Sequence, residues 1–209
     1  MFTGIVQTIG QITDVQPLSQ DDHAGVRLTV ATPPSSGFLQ RTKQGDSIAI
    51  QGACMTVVAF SEHTFKVDVS RESLNRTVGL DMAGQVNLEH ALRLGDTLDG
   101  HLVSGHVDGV GTVAYFAPVG ESFLLQIDVP QNLAHYMAYK GSVAVNGVSL
   151  TVNEVQDNED GGCRICINLI PHTVQQTTLK HLTVRARVNL EIDSIARYVE
   201  RMLRSRPTC

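Results

Sequence analysis

Eleven residues, Ser47-Ile-Ala-Ile-Gln-Gly-Ala-Cys-Met-Thr-Val57, return as Ser142-Val-Ala-Val-Asn-Gly-Val-Ser-Leu-Thr-Val152, with five positions identical and the other six exchanged like for like. Thr3-Gly-Ile-Val6 is answered by Ser104-Gly-His-Val107, and Val86-Asn-Leu-Glu89 by Val188-Asn-Leu-Glu191. The offsets run from 95 to 102 residues. The repeating unit is therefore a whole domain, not a solenoid turn of roughly 20 to 50 residues. Two similar domains predict two similar pockets, which suits chemistry on two copies of one molecule.

Within each half the segments are short, rich in Val, Ile and Thr, and broken by Gly, Asp and Asn. Gly25-Val-Arg-Leu-Thr-Val30, Thr64-Phe-Lys-Val-Asp-Val69, Phe123-Leu-Leu-Gln-Ile-Asp-Val129 and Arg164-Ile-Cys-Ile-Asn-Leu169 alternate apolar and polar residues, the signature of half-buried strands. About six such strands per half predict an all-β chain of two small closed barrels. Gln131 to Tyr139, after Pro130, reads as two helical turns, with a repeat partner near Ser35–Gln40. A last helix capped by Asp193 carries Ile195, Tyr198, Val199, Met202 and Leu203 on one stripe. That stripe suits docking on its own barrel and packing against copies of itself equally well. Leu92 to Leu102, with Gly95 and Gly100, reads as the connector.

A net charge of −5 opposes a nucleic-acid surface, which needs clustered cations. The Arg residues near the end (Arg197, Arg201, Arg204, Arg206) read as one helix face. No apolar run reaches membrane-spanning length, and the start lacks the order of a signal peptide. A cytoplasmic, reduced protein is expected. Of Cys54, Cys163, Cys166 and Cys209, the pair Cys163 and Cys166 has Cys-x-x-Cys spacing. It has no second ligand pair and sits on a strand pattern, so it reads as two strand residues rather than a metal or redox site.

His101 and His106 are five apart with no Glu after the first, which is not a zinc-protease pattern. Gly109-Val-Gly111 precedes a strand rather than a helix, which excludes a dinucleotide loop. Gly-x-Cys-x-Thr (Gly52, Cys54, Thr56) and Gly-x-Ser-x-Thr (Gly147, Ser149, Thr151) place paired small polar groups on one face of equivalent strands. Such groups hydrogen-bond a ligand without filling its pocket. Ser73 and Thr173, and Thr77 and Thr177, fall at equivalent strand ends.

Met1-Phe-Thr-Gly-Ile-Val6, Gly100-His-Leu-Val-Ser-Gly-His106, Lys140-Gly141, Gly147-Val-Ser-Leu-Thr151 and Ile170-Pro-His-Thr173 occur in order, and together they resemble the riboflavin synthase family with two lumazine-binding repeats. The match runs from residue 1 to about 203. The resemblance implies two homologous six-stranded Greek-key barrels plus a C-terminal helix. These would span residues 1–96, 97–192 and 193–205, the last an oligomerisation helix forming a homotrimer. It implies a dismutation of two 6,7-dimethyl-8-ribityllumazine molecules to riboflavin and 5-amino-6-ribitylamino-uracil, with no metal or cofactor. Association with lumazine synthase is a further expectation of the resemblance; nucleic-acid or membrane partners are not expected.

By the same resemblance an N-site takes Gly4, Ile5 and Val6, then Cys54, Met55 and Thr56, then Asp68, Val69, Ser70, Arg71, Glu72 and Ser73. A C-site takes Gly105, His106 and Val107, then Lys140, Ser149, Leu150 and Thr151, then Ile170, Pro171, His172, Thr173, Val174 and Gln175. His106 is the proton-transfer candidate, because imidazole titrates near neutral pH. Ser149 and Cys54 are candidates to hold or deliver a nucleophile, and Lys140 to stabilise an anion. Phe2, Ser47, His101 and Asp193 match family positions more loosely. Two departures bear on the mechanism: Asn146, where many members carry Asp, and Gln51, where Asn is usual. The rival from another class is a non-catalytic lumazine- or flavin-binding antenna protein.

Overall fold

The computed structural model describes residues 1–21 and 23–204. Cys209 and Arg206 lie outside the described residues. The first half contains β1 (Thr8–Pro17), β2 (Val26–Ala31), β3 (Ser47–Ile50), β4 (Ala53–Phe60), β5 (Thr64–Val69), a short helix α1 (Arg71–Arg76) and β6 (Gly84–His90). Its six strands close into a barrel of order β1-β2-β5-β4-β3-β6, every neighbour antiparallel. Strands β3, β4 and β5 follow one another as neighbours and β2 returns beside β5, which is Greek-key connectivity. Ile12, Leu28, Val30, Ile48, Ile50, Phe65, Val67 and Leu88 fill the interior, and the polar residues between them face outward.

The second half repeats the plan with β7 (Gly109–Val119), β8 (Ser122–Val129), a one-turn helix α2 (Gln131–Ala134), β9 (Ser142–Val145), β10 (Val148–Thr151), β11 (Glu154–Asp157), β12 (Cys163–Leu169), α3 (Pro171–Gln176) and β13 (Arg187–Ile192). Here the sheet has seven strands in the order β10-β9-β13-β7-β8-β12-β11. The extra strand is a division of one. In the first half β4 runs unbroken through a bulge between Val57 and Ala59. At the equivalent place Val152 and Asn153 leave the ladder, so β10 pairs with β9 and β11 with β12. A curled half-barrel stands where a second six-stranded closed barrel is expected. The bulge between Ile12 and Asp14 in β1 recurs intact between Val113 and Tyr115 in β7.

The expected two-turn helix after Pro130 stops at Ala134, and its repeat partner is a pair of 3-10 turns, Pro34–Ser36 and Phe38–Arg41. Helix α4 (Ser194–Arg204) opens where the Asp193 carboxylate accepts the Ile195 N–H. Its polar side makes the contacts with the half-barrel: Arg197 pairs with Asp108 at 2.7 Å and Glu200 meets His135 at 3.8 Å. Ile195, Tyr198, Val199 and Leu203 are exposed, so this part of the apolar stripe faces away from its own barrel.

The two halves meet at their hairpin turns. Gln51-Gly52 and Asn146-Gly147 are two-residue loops with φ of 51° and 89°, and 49° and 79°. Both central residues have positive φ, the type I′ turn that matches strand twist. A β-carbon on Gly52 would sit 2.8 Å from the Gly147 nitrogen, and one on Gly147 the same distance from the Gly52 nitrogen. Buried asparagines from β6 and β13 lock the contact. Asn87 donates its amide to the Asn146 carbonyl at 2.9 Å, and Asn189 donates to the Gln51 carbonyl at 3.0 Å. The Asn146 and Gln51 side chains accept the backbone N–H groups of Asn189 and Asn87. The two departures are thus turn residues in this lock.

At the end of β6, His90 stacks on Phe38 and contacts Thr42 and Gln7 at 2.9 Å each. Burial, then the Arg41 and Arg93 charges, push His90 down to about 4 from 6.5. Native His90 binds a proton less readily than the unfolded chain. Its contribution is therefore present above pH 6.5 and is lost as pH falls towards 4. The urea midpoint of His90→Gln should fall less steeply over that window than that of the parent protein. Gly147→Ala, forced into positive φ against backbone, should cost about 1–3 kcal/mol or more in the same measurement.

Candidate functional site

The first residues of the chain pair with the connector. Phe2 donates its N–H to the Val103 carbonyl at 2.7 Å, and Val103 returns one to Phe2 at 3.1 Å. These positions are equivalent in the repeat, and with Ala49 and Ala144 they form a small core between the barrels. Beyond this bridge the two segments part in opposite senses. Val6 packs against the core of the second half, and Val107 against the core of the first.

The loops Thr3-Gly4 and Ser104-Gly105-His106 are each held by a buried carboxylate. Glu89 on β6 accepts the Thr3 N–H at 2.6 Å, the Thr3 hydroxyl at 2.7 Å and the Gly4 N–H at 3.0 Å. Glu191 on β13 accepts the N–H groups of Ser104, Gly105 and His106 at 2.6, 2.9 and 2.9 Å. Burial raises Glu89 above the usual carboxylate range and pushes Glu191 up to about 7, against N–H bonds that favour the anion.

Each loop then reaches across to the other half. The Cys54 N–H donates to the Gly105 carbonyl at 2.8 Å, and the Ser149 N–H to the Gly4 carbonyl at 2.8 Å. A β-carbon on Gly105 would lie 2.7 Å from that of Cys54, and one on Gly4 2.6 Å from that of Ser149. Only glycine permits these approaches, and both have positive φ. The grouping expected from the sequence is therefore corrected: Gly105, His106 and Val107 stand with Cys54 and Met55, whereas Gly4 stands with Ser149. Motif order along the chain groups each loop with its own half, whereas the Phe2–Val103 bridge sends each to the opposite half.

The first site is an open cavity of about 190 Å³ lined by Ala53, Cys54, Met55, Glu72, Ser73, Arg76, Thr77 and Gly105 to Val107. Ser70 caps α1 by accepting the Ser73 N–H, and Glu72 pairs with Arg76. His106 is exposed beside it. Thr56 and Arg71 are exposed at its margin, whereas Val69 points into the barrel core. Both Asp68 oxygens are taken by Arg27, at 2.7 and 2.8 Å, which holds that carboxyl below its usual range.

In the second site the Ser149 hydroxyl lies 2.7 Å from His101 Nδ1. His101 is buried, its Nε2 has no hydrogen-bond partner among the described residues, and burial lowers its pKa, opposed by Asp193. The Ser149 hydroxyl can accept from a protonated Nδ1 or donate to a bare one, and the tautomer sets the direction. Thr151 is exposed beside Ser149, and Leu150 faces the core. Ile170, Pro171, His172 and Gln175 are exposed on and before α3, Thr173 accepts from the Thr177 hydroxyl, and Val174 is buried. Lys140 is exposed, its ammonium 5.3 Å from the Tyr139 ring centre. Ile5 is exposed beyond the Glu89 clamp.

Cys163 and Cys166, three apart on a strand, point to opposite faces. Both are free thiols, and burial pushes Cys163 up to about 11. Glu89, Glu191, Asn87 and Asn189 escaped the sequence reading as functional residues. The signal was present in the repeated Val-Asn-Leu-Glu, where the same amide and acid recur at equivalent positions of both halves.

The family model for the lumazine binding domain matches residues 3–91 and again 104–193. Riboflavin synthase of Actinobacillus pleuropneumoniae is 37% identical over 99% of this chain and 92% of its own length. Riboflavin synthase of Mycobacterium tuberculosis is 40% identical over 98% of this chain and 99% of its own. Among solved structures, LumP complexed with riboflavin superposes with a TM-score of 0.77 at 28% identity, covering 92% of this chain and 99% of the other.

Ser149→Ala removes the partner of a buried imidazole nitrogen. It should destabilise the protein by roughly 1–3 kcal/mol, and the double variant with His101→Ala should cost less than the sum. Urea unfolding of the three variants measures the coupling.

Proposed function

The chain belongs to the riboflavin synthase family, and we propose that it converts two molecules of 6,7-dimethyl-8-ribityllumazine into riboflavin and 5-amino-6-ribitylamino-uracil. The observation that carries this reading is the duplication of the site. Each half presents a small polar side chain, Cys54 or Ser149, against a glycine loop held by a buried glutamate. A reaction between two copies of one substrate needs two such places. Holding both reactants in register is worth up to about 7–11 kcal/mol of barrier.

In this mechanism a base takes a proton from the 7-methyl group of one lumazine, and a nucleophile adds at carbon seven of the other. Ser149 with His101 is the best-formed pair for holding or delivering that nucleophile, since the hydroxyl and ring nitrogen are already in contact. Cys54 occupies the matching position, and His106 is the proton-transfer residue of its site. Lys140 lends positive charge to the deprotonated lumazine. Gly4, Ile5 and Val6, with Gly105, His106 and Val107, bind the pyrimidine-like edge of the ring. The polar side chains of Ser70, Arg71, Glu72 and Ser73 and of His172, Thr173 and Gln175, with Thr56 and Thr151, bind the ribityl chains.

The proposal also divides the chain into lumazine-binding units at 1–96 and 97–192 and an oligomerisation helix at 193–205, whose last residue lies outside the described residues. The outward apolar stripe of α4 supports a homotrimer through that helix. A cytoplasmic location and association with lumazine synthase complete the reading.

Purified protein mixed with the lumazine alone should yield one riboflavin per two lumazines, followed by absorbance. Tight binding without turnover would instead identify an antenna protein. His106→Gln should lower kcat by about 10²–10⁴-fold and remove one limb of its pH profile; an unchanged rate and profile would exclude His106 as acid–base catalyst.

A further inference from the structure

The repeated Val-Asn-Leu-Glu segments place two groups on the outer face of β6 and of β13. The asparagine, at the first, locks the turns; the glutamate, two residues on, receives the loop. Glu89 and Glu191 are each 4% exposed. Hydrogen bonds rather than ion pairs hold both among the described residues. Burying a charge in this way is unfavourable unless its lone pairs are filled. The filling groups are the loops that shape the sites.

Connectivity decides which site each glutamate serves. Glu191 belongs to the second half and holds Gly105 and His106; Gly105 accepts from Cys54 in the first half, and both Gly105 and His106 line the first cavity. Glu89 belongs to the first half and holds Gly4, which accepts from Ser149 in the second. We propose that Glu89 and Glu191 are crossed positioning residues, each set in one barrel and fixing the wall of the site on the other. The inference rests on the reading that these are the two lumazine sites.

A carboxylate suits the role because it is an acceptor at both oxygens, whereas a glutamine would turn an NH2 group towards one of the loop N–H groups. An aspartate keeps the charge and falls short by one methylene. Neither glutamate touches substrate in this account; each acts through the loop it holds.

The test is hydrogen exchange read by mass spectrometry on the full chain, with riboflavin as probe. Glu191→Gln should speed exchange of the Cys54 amide about tenfold or more, abolish riboflavin protection there, and leave the Ser149 amide unchanged. Glu89→Gln should do the reverse. Thr3→Val, which deletes one bond to Glu89, and Glu191→Asp serve as milder variants in case a glutamine fails to fold. They should give the same crossed pattern at smaller size, with Glu191→Asp recovering part of the lost riboflavin protection. In steady state each glutamine variant should lower kcat about tenfold or more, since displacing either reactant spoils the encounter. Faster exchange confined to the glutamate's own half, or equal at both sites, would overturn the proposal, as would wild-type exchange at both. A parent protein whose two sites ignore riboflavin would count against the lumazine-site reading, and the exchange pattern would still decide the crossing.

Discussion

Two hairpin turns meeting backbone to backbone set the geometry of this molecule. Gly52 and Gly147 approach so closely that neither position has room for a β-carbon. Both need positive φ, which glycine adopts at little steric cost. The buried amides of Asn87 and Asn189 reach across to the opposing turn and fill carbonyls that would otherwise lie unsatisfied in the interface. Each amide also accepts from its surroundings, Thr178 N–H for Asn87 and Val78 N–H for Asn189. A buried network of this kind is stable because it is fully used. It fixes one barrel against the other, and the loop crossing depends on that placement.

The crossing makes the halves interdependent in a way their separate cores are not. Each core closes with its own apolar residues, yet the wall of each site comes from the segment leading into the other half. The structural unit is the half chain, whereas each candidate site draws residues from both. Glycine at positions 4 and 105 allows the loops to lie flat on Ser149 and Cys54, and the glutamates hold them from behind.

Duplication left the sites similar without making them the same. The Arg27–Asp68 pair beside the first site is replaced by Leu124 and by Asn168, which accepts from Ser122. His101 enters from the connector and reaches Ser149; in the first half the strand position is taken by Cys54. The strand carrying Ser149 breaks at Val152, whereas the one carrying Cys54 continues to Phe60. On the proposed reading, two molecules of one substrate would meet different polar surroundings at these two places.

The sequence by itself determined that the chain is a doubled β structure, because strand alternation and the repeated turns are local patterns readable residue by residue. It also determined the small polar pairs at Cys54 and Thr56 and at Ser149 and Thr151, because period two fixes which side chains share a face. It left the final helix open between two partners, since an apolar stripe does not name what it faces; Arg197 and Glu200 turned the polar side inward. It read Gln51 and Asn146 as possible chemical departures, although their backbone angles make them turn residues. Only the tertiary structure decided which loop serves which site, what the buried glutamates hold, and where the second barrel opens. Those outcomes rest on contacts between residues about 40 to 140 positions apart in the chain, and distance along a chain carries no record of which groups meet across it.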